Sequence, residues 1–316
     1  MPFTLDPEIE AGLAALNERI GEIEPMPVGD VVRRRAVYDP LQRVMFDQLP
    51  FPDDVAISDH KTTALDGTSL LLRWYQKRGV APGSAVLYIP GGGMICSGVD
   101  VYDPPVARYV SATGVPFLSV EYRRAPEIPA PTPVTDSYAA LQWLVANAAD
   151  LGVQPARIAI MGDSGGGGIA ASLAIYARDH GGPAIAKQIL IYPMLDDRNT
   201  TPDPDLTPFA PWTYDDNITG WQALLGSAMG GPDVSPYAAA ARLTDFCGLP
   251  SAYVEIGELD IFRDETLAYA QQLYSAGIST ELHVHPNVQH AFEAFVPMAA
   301  ISRRAVEDRH RVLKAV

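Results

Sequence analysis

The stretch "RIAIMGDSGGGGIAAS", residues 157–172, decides the fold. An apolar run ends at Met161, the residues GDSGG at 162–166 follow, and a helical pattern begins at once. This is the G-x-S-x-G pattern in a strand–turn–helix setting, which exposes a serine hydroxyl at a sharp turn. Only glycine fits beside the serine in so tight a turn, and the N-terminus of the following helix favours negative charge. The stretch therefore predicts a nucleophilic serine, Ser164.

Short apolar runs alternate with helical patterns on both sides of this stretch. A hairpin is predicted at residues 54–75, where two strand-like runs flank the turn residues Asp66-Gly67. The later strands are predicted at 84–89, 115–120, 157–161, 188–192, 251–256 and 279–285, and helices between or after them at 134–149, 166–178, 263–276 and 298–315. Strands that alternate with helices indicate an α/β fold with a mostly parallel central sheet that is flanked by helices.

Two regions interrupt or precede this alternation. Residues 6–20 carry apolar side chains at helical spacing behind a candidate cap, Asp6, and a second helix is predicted within 28–47. The run Arg33-Arg34-Arg35 in that helix is expected on a solvated face. Residues 196–212 are polar and rich in proline, and a helical pattern follows them. The sequence predicts N-terminal cap helices at 1–50, a catalytic domain at 51–316, and a cap insertion at about 196–228 over the carboxyl edge of the sheet.

A nucleophilic serine requires a base and an acid that orients the base, and in this type of fold they follow the serine in the order acid, then histidine. The loop after the predicted strand 251–256 offers four acids, which are Glu258, Asp260, Asp264 and Glu265. The loop after 279–285 offers His290. The other histidines precede the serine, end a helix, or lie within a strand or a helix; these are His60, His180, His283, His285 and His310. His290 is therefore the predicted base, and the residues alone leave the four acids open.

The stretch "VLYIPGGGMICSG", residues 86–98, places three glycines after an apolar run. Such a run brings backbone N–H groups close to an anion, which is either a phosphate or a transient oxyanion. Residues 165–170 also fit the dinucleotide pattern G-x-G-x-x-A, but the first acid at the end of the next strand is Asp196, which fits that pattern weakly. A nicotinamide-dependent oxidoreductase is therefore a minor alternative. Neither a P-loop nor a metal-ligand spacing occurs in the sequence, so no metal is predicted.

The bulk composition narrows the class of protein. Of the 316 residues, 47% are hydrophobic and 19% are charged, and the net charge is −15. This balance predicts a large core and argues against nucleic-acid or anionic-membrane partners. The two cysteines, Cys96 and Cys247, form no disulfide framework, and neither a signal peptide nor an apolar run of about 18 residues is visible. We therefore expect a cytoplasmic protein.

Taken together, the segments from about residue 60 to residue 300 resemble bacterial hormone-sensitive-lipase-like esterases of the α/β-hydrolase superfamily. The resemblance rests on the segments YIPGGGM (88–94), EYRRAPE (121–127), GDSGGG (162–167), YPMLDDR (192–198), DIFRDE (260–265) and VQHAFE (288–293). It implies an α/β-hydrolase fold with a helical cap, a serine carboxylic-ester hydrolase activity on short- to medium-chain esters, and no cofactor. The roles it implies are Ser164 as nucleophile, Asp260 as orienting acid and His290 as base, with an oxyanion hole made by the N–H groups of Gly92, Gly93 and Gly165.

Two residues depart from the family's pattern. Pro90 stands where the family carries histidine, and Met94 stands where it carries an aromatic residue. These departures are expected to affect efficiency and substrate choice. The same triad acting on a lactone, an amide or a carbamate is an alternative, and so is a non-hydrolytic member that only binds a small molecule. A small-molecule ester is the predicted partner, and a homodimer is left open by the sequence.

Overall fold

The structure of the chain, a computed structural model, describes residues 3–21 and 23–316. An eight-stranded sheet forms its centre. The strands are β1 (Val55–Thr63), β2 (Ser69–Lys77), β3 (Ala85–Ile89), β4 (Phe117–Val120), β5 (Ile158–Asp163), β6 (Gln188–Ile191), β7 (Ala252–Gly257) and β8 (Thr280–His285). All the predicted strands are therefore present, and their ends differ from the predicted ones by a few residues at most.

The strand order in the sheet is β1-β2-β4-β3-β5-β6-β7-β8. The first hairpin is antiparallel, β2 also pairs antiparallel with β4, and the remaining neighbours are parallel. Every residue of β3, β5, β6 and β7 is buried. Strands that are covered on both faces read as continuous apolar runs, which is why the sequence pattern located them. The parallel strands end at one common edge, and loops at that edge are brought together.

Nine α-helices surround the sheet in the described part of the chain. They are α1 (Pro7–Ile20), α2 (Val31–Phe46), α3 (Val99–Thr113), α4 (Thr132–Ala146), α5 (Gly165–Asp179), α6 (Tyr214–Leu225), α7 (Arg263–Ser275), α8 (Phe292–Phe295) and α9 (Ala300–Lys314). The sequence did not predict α3, because Pro104 and Pro105 interrupt its helical pattern. Within residues 3–21 and 23–316, no helix has the length and apolarity that a bilayer crossing requires.

The predicted solvated face at residues 33–35 is wrong for two of the three arginines. Arg33 is exposed, but Arg34 is fully buried, and its Nε donates to Asp216 Oδ1 over 2.8 Å. Arg35 forms an ion pair with Glu127, with an N–O distance of 2.6 Å. A charge run usually faces water, but here the partner carboxylates come from distant parts of the chain and compensate the buried charge.

The buried pair joins the N-terminal helices to the insertion. Arg34 lies on α2, and Asp216 lies on α6. The side chain of Asp216 also accepts a hydrogen bond from the Tyr38 hydroxyl at 2.7 Å. We call α1, α2 and residues 196–228 the cap. The division of the chain into this cap and a catalytic domain stays a prediction.

Candidate active site

Ser164 lies at the turn between β5 and α5, in an uncommon backbone conformation. Its φ and ψ angles are 54° and −122°. Positive φ costs a residue other than glycine about 1–3 kcal/mol, and such strain is concentrated at functional sites. A Cβ atom at Gly162 would lie 2.3 Å from the carbonyl oxygen of Gly166, and one at Gly166 would lie 2.1 Å from that of Ile89. These close approaches explain why glycine stands on both sides of the serine.

The structure brings Ser164, His290 and Asp260 into one line of hydrogen-bonding groups. His290 Nε2 lies 3.0 Å from Ser164 Oγ, and His290 Nδ1 lies 2.6 Å from Asp260 Oδ2. The three residues follow β5, β8 and β7, whose carboxyl ends share one edge of the sheet. A neutral imidazole donates at one ring nitrogen and accepts at the other. If Nδ1 carries the proton, Nε2 is free to accept the proton of the serine hydroxyl.

Two aromatic rings pack against the imidazole of His290. The Tyr192 ring lies 4.6 Å from it and the Phe262 ring 5.2 Å, measured between ring centroids, and both meet it edge to face. The second carboxylate oxygen of Asp260 accepts the N–H of Phe262 at 2.9 Å. Only 1% of Asp260 and 7% of His290 are exposed, so water does not compete for these bonds. The imidazole and the carboxylate are therefore held in one orientation.

The remaining candidate acids serve other contacts. Glu258 accepts a backbone N–H at residue 287, and Asp264 is paired with the neighbouring Arg263. Glu265 accepts the backbone N–H groups that follow β6, and burial raises its pKa well above the usual range. A buried carboxyl with a raised pKa is a poor partner for an imidazolium ion. Of the four acids left open by the sequence, Asp260 is the one that hydrogen-bonds to a histidine.

The glycines predicted to form an oxyanion hole lie beside the serine. A Cβ atom at Gly165 would lie 2.9 Å from both the nitrogen and the α-carbon of Gly93. Gly92 and Gly93 also line the cavity that contains Ser164 and His290. Within residues 3–21 and 23–316, no protein acceptor takes the N–H of Gly92, Gly93 or Gly165. Free backbone donors next to a nucleophile are what an oxyanion hole needs, and the role itself stays a prediction.

The cavity above Ser164 has a volume of about 630 Å³. Aromatic and apolar residues from both parts of the cap line it, and charged residues of α3 and α9 line it as well. The cap residues include Tyr38, Leu41, Met45, Phe46 and Trp212, and the charged residues include Arg108, Arg303 and Glu307. Cys96 is also in the lining, and burial raises the pKa of its thiol to about 12. The thiol is therefore neutral at ordinary pH and acts as a small apolar group. Such a cavity suits an organic substrate of moderate size.

Two buried carboxylates in the lining of the cavity bind aromatic side chains; the sequence indicated Asp163 as a structural hydrogen-bond partner, but not which residues it binds, and did not indicate Glu293. Asp163, next to Ser164, accepts the hydroxyls of Tyr88 at 2.6 Å and Tyr102 at 2.8 Å. Burial raises the pKa of Asp163, although these two hydrogen bonds oppose the shift. Glu293 accepts the Tyr192 hydroxyl at 2.7 Å. Each carboxylate fixes an aromatic side chain at the wall of the site, and no local sequence pattern indicates such a pairing.

One cluster of potential metal ligands lies between the outer strand β8 and helix α9, away from Ser164. It comprises Glu281, His283 and Asp308. Arg311 forms ion pairs with Glu281 and Asp308, so one cation already contacts both carboxylates. His283 Nε2 also lies 2.7 Å from Glu281 Oε1. These ion pairs and the hydrogen bond account for the arrangement of the three side chains.

A comparison with protein families identifies this architecture. A family model described as the alpha/beta hydrolase fold matches residues 86–294, which is more than half of the chain. The chain belongs to the alpha/beta hydrolase fold family. The predicted fold class, a mostly parallel sheet flanked by helices, is confirmed.

Known members of the alpha/beta hydrolase fold family resemble this chain closely. Carboxylesterase NlhH of Mycobacterium tuberculosis is 38% identical over 257 residues, which cover 77% of this chain and 78% of the relative. Ethyl acetate hydrolase of Pseudomonas putida is 30% identical over 98% of this chain and 95% of the relative. The crystal structure of a bacterial heroin esterase superimposes with a TM-score of 0.89 and 37% identity, covering 99% of this chain and 98% of that chain. The predicted resemblance to bacterial esterases is confirmed.

Part of the site lies outside the stretch that the alpha/beta hydrolase fold model matches. Helices α1 and α2 and the first hairpin precede residue 86, where the match begins. Arg34 and Tyr38 of α2, which bind the insertion, belong to this preceding part. The structural similarity to the heroin esterase nevertheless extends over 99% of the chain. The N-terminal part is therefore shared with at least one solved member of the family.

Proposed function

We propose that this protein is a serine carboxylic-ester hydrolase in which Ser164 is the nucleophile, His290 the base and Asp260 the orienting acid. The observation that carries the proposal is the pair of hydrogen bonds at His290, 3.0 Å to Ser164 Oγ and 2.6 Å to Asp260 Oδ2, at the base of a cavity. The family relatives that match most of the chain are named as ester hydrolases, which supports the enzyme class. Nucleophile, base and orienting acid are the parts that acyl transfer requires.

The reaction follows from this order of groups. Ser164 Oγ forms a bond to the carbonyl carbon of the ester while its proton passes to His290 Nε2. The carboxylate of Asp260 stabilises the imidazolium ion that results. The tetrahedral intermediate then breaks the ester C–O bond, and His290 returns the proton to the leaving alcohol. Water, deprotonated by the same imidazole, next attacks the acyl-enzyme, and collapse of the second intermediate releases the acid and the serine hydroxyl.

The carbonyl oxygen becomes negatively charged in both tetrahedral intermediates. We assign its stabilisation to the N–H groups of Gly92, Gly93 and Gly165, which no protein acceptor takes within residues 3–21 and 23–316. Gly165 is also the first residue of α5, where the helix dipole favours negative charge. Donors that are fixed before the reaction begins need no reorganisation, so their contribution is largest in the transition state.

The substrate class is an ester with a short or medium acyl chain. The cavity volume of about 630 Å³ and the many apolar residues in its lining support an organic substrate of moderate size. The relative from Pseudomonas putida is named for ethyl acetate, a small ester. Because the buried rings of the cap enclose one side of the cavity, long acyl chains are expected to fit less well.

A series of p-nitrophenyl esters from acetate to decanoate tests this proposal. We expect a burst of p-nitrophenol that is equal to the enzyme concentration, with kcat/KM highest for short or medium chains. Ser164→Ala should abolish the burst and the steady-state turnover. Ser58→Ala, a change at an exposed serine, should leave both unchanged. Turnover by Ser164→Ala, once contamination is excluded, would contradict the mechanism. If the wild-type protein hydrolysed lactones, amides or carbamates but not esters, the substrate class would be wrong. If it bound these compounds without hydrolysing any of them, the proposed catalysis would be excluded.

A cytoplasmic location and a homodimer stay predictions. In the described part of the chain, Cys96 and Cys247 are unpaired, which supports a reducing compartment. Sedimentation equilibrium would measure the oligomeric state.

A further inference from the structure

The insertion, residues 196–228, directly contacts residues 90–94, which we call the glycine loop. The indole ring of Trp212 lies against the α-carbon of Gly93, since a Cβ atom there would lie 2.3 Å from Cζ2 and 2.4 Å from Cη2 of the indole. The Nε1 atom of Trp212 is buried and donates to no protein acceptor in residues 3–21 and 23–316. The indole therefore acts on the loop by packing and makes no hydrogen bond to it.

A second contact meets the same glycine at its carbonyl group. Gly220 lies on α6, and a Cβ atom at this position would lie 2.8 Å from the carbonyl oxygen of Gly93. Glycine in the middle of a helix is unfavourable by about 1 kcal/mol relative to alanine. The close approach of the α6 backbone to the loop explains why glycine stands here. Gly93 is thus enclosed by Trp212 on one side and Gly220 on another.

The contacts that hold Trp212 and α6 in place come from the N-terminal part of the cap. The Tyr38 ring lies 5.4 Å from the Trp212 ring, and its hydroxyl donates to Asp216 at 2.7 Å. The fully buried Arg34 donates to the same carboxylate at 2.8 Å. Asp216 lies one helical turn before Gly220 on α6. A rigid, charge-compensated set of contacts therefore connects α2 to the glycine loop.

We propose that Trp212 and Gly220 are positioning residues, which hold the N–H of Gly93 in the orientation that stabilises the oxyanion. On this view the cap is a structural part of the oxyanion hole as well as a cover over the cavity. The loop lacks a polar side chain of its own that could brace it from within, because residues 90–94 are Pro-Gly-Gly-Gly-Met. The Tyr122 hydroxyl donates to the carbonyl oxygen of Pro90 at 3.0 Å, and the packing of the insertion restrains Gly93. The inference rests on the proposed ester hydrolysis.

Loss of these contacts with Gly93 should change kcat more than KM. In Gly220→Ala, the new Cβ atom would lie 2.8 Å from the carbonyl oxygen of Gly93. The two atoms would have to separate to an ordinary contact distance of at least 3.4 Å, a shift of about 0.6 Å. Misplacement of a reacting group by about 1 Å can cost about a hundredfold in rate. The oxyanion exists mainly in the transition state, so the effect falls on kcat rather than on KM. We therefore expect kcat to fall about tenfold with KM changed less than twofold.

The experiment compares Gly220→Ala with Gln222→Ala, an exposed change on the same helix. A second variant, Trp212→Phe, removes Cζ2 and Cη2 and so loses the contact with Gly93 from the other side. For each protein, kcat and KM are measured with p-nitrophenyl acetate, together with the inhibition constant of a trifluoromethyl ketone and the thermal unfolding midpoint. The ketone forms a tetrahedral adduct with the serine and therefore reports on the oxyanion hole.

The expected result is a lower kcat and weaker ketone binding in Gly220→Ala and Trp212→Phe, with wild-type values in Gln222→Ala. If Gly220→Ala fails to fold, Trp212→Phe decides alone. Unchanged kcat in the folded variants, or a loss that falls on KM alone, would overturn the proposal. An inactive wild-type protein would instead contradict the proposed ester hydrolysis, so the two failures are distinct.

Discussion

The substitution Asp260→Asn removes one charge from the site and leaves its shape almost unchanged. In the structure, one carboxylate oxygen accepts the N–H of Phe262 at 2.9 Å, and the other contacts His290 Nδ1 at 2.6 Å. The N–H of Phe262 is a fixed donor, so it retains the amide oxygen of the new side chain. The amide NH₂ group then faces His290 Nδ1 and donates to it. The imidazole proton is forced onto Nε2, where it faces Ser164 and blocks proton transfer from the serine.

The loss is expected to be large because no other group can restore the right tautomer. Asp260 is 1% exposed and His290 is 7% exposed, so water does not reach Nδ1 as a substitute acceptor. The corresponding change in a serine protease lowers kcat about 10⁴-fold, a value that we adopt as the expected magnitude. This factor corresponds to about 5.4 kcal/mol of lost transition-state stabilisation, since about 1.36 kcal/mol is tenfold in rate.

The assay is steady-state hydrolysis of p-nitrophenyl acetate. KM is expected to stay within a few-fold, because substrate binding does not use the carboxylate. Glu258→Gln is the matched control: it changes another acid in the same loop, whose contact is a backbone N–H at residue 287. If Glu258→Gln lowered kcat more than Asp260→Asn does, the acid would be wrongly assigned. A loss of less than tenfold in Asp260→Asn would refute the tautomer argument itself.

Three further predictions concern the cap, the last helix and the glycine loop. Asp216→Ala leaves the fully buried Arg34 without its carboxylate. The free energy of unfolding, measured by urea denaturation, should therefore fall by about 3–5 kcal/mol. A similar loss in Asp215→Ala, a change at an exposed residue of the same helix, would count against the buried pair. Burial, with Lys314 and Arg309 adding, lowers the pKa of His310 to about 4. As the pH falls, the unfolded chain therefore protonates at His310 first, near pH 6.5, and the stability that neutral His310 contributes is lost as the pH falls toward 4. The urea midpoints at pH 7 and pH 5 should differ less in His310→Gln than in the wild type. Pro90→Gly should lower kcat more than it changes KM, because Pro90 fixes its own φ before the glycines, and unchanged ester kinetics would disprove this role.

Local patterns in the sequence were sufficient to predict the sheet and the nucleophile. Strands buried on both faces must be apolar along their whole length, and a serine turn this tight requires glycine at 162 and 166. The position of His290 followed from the chain order that the fold imposes. By contrast, the residues alone left four acids open, and the choice of Asp260 came from the resemblance. In the structure, its carboxylate lies 2.6 Å from the imidazole.

The sequence by itself determined where the chain forms strands, where it turns sharply and which serine stands at that turn, because these properties depend on neighbouring residues. It did not determine the burial of Arg34, which was expected to face solvent as part of a run of charged residues. Nor did it determine the contact of Trp212 with Gly93. Those outcomes depend on partners more than a hundred residues away. A charge can be buried and a ring can brace a loop only where the folded chain supplies the matching group. Tertiary structure therefore decided how the cap joins the site, since no local pattern encodes the distance between two remote side chains.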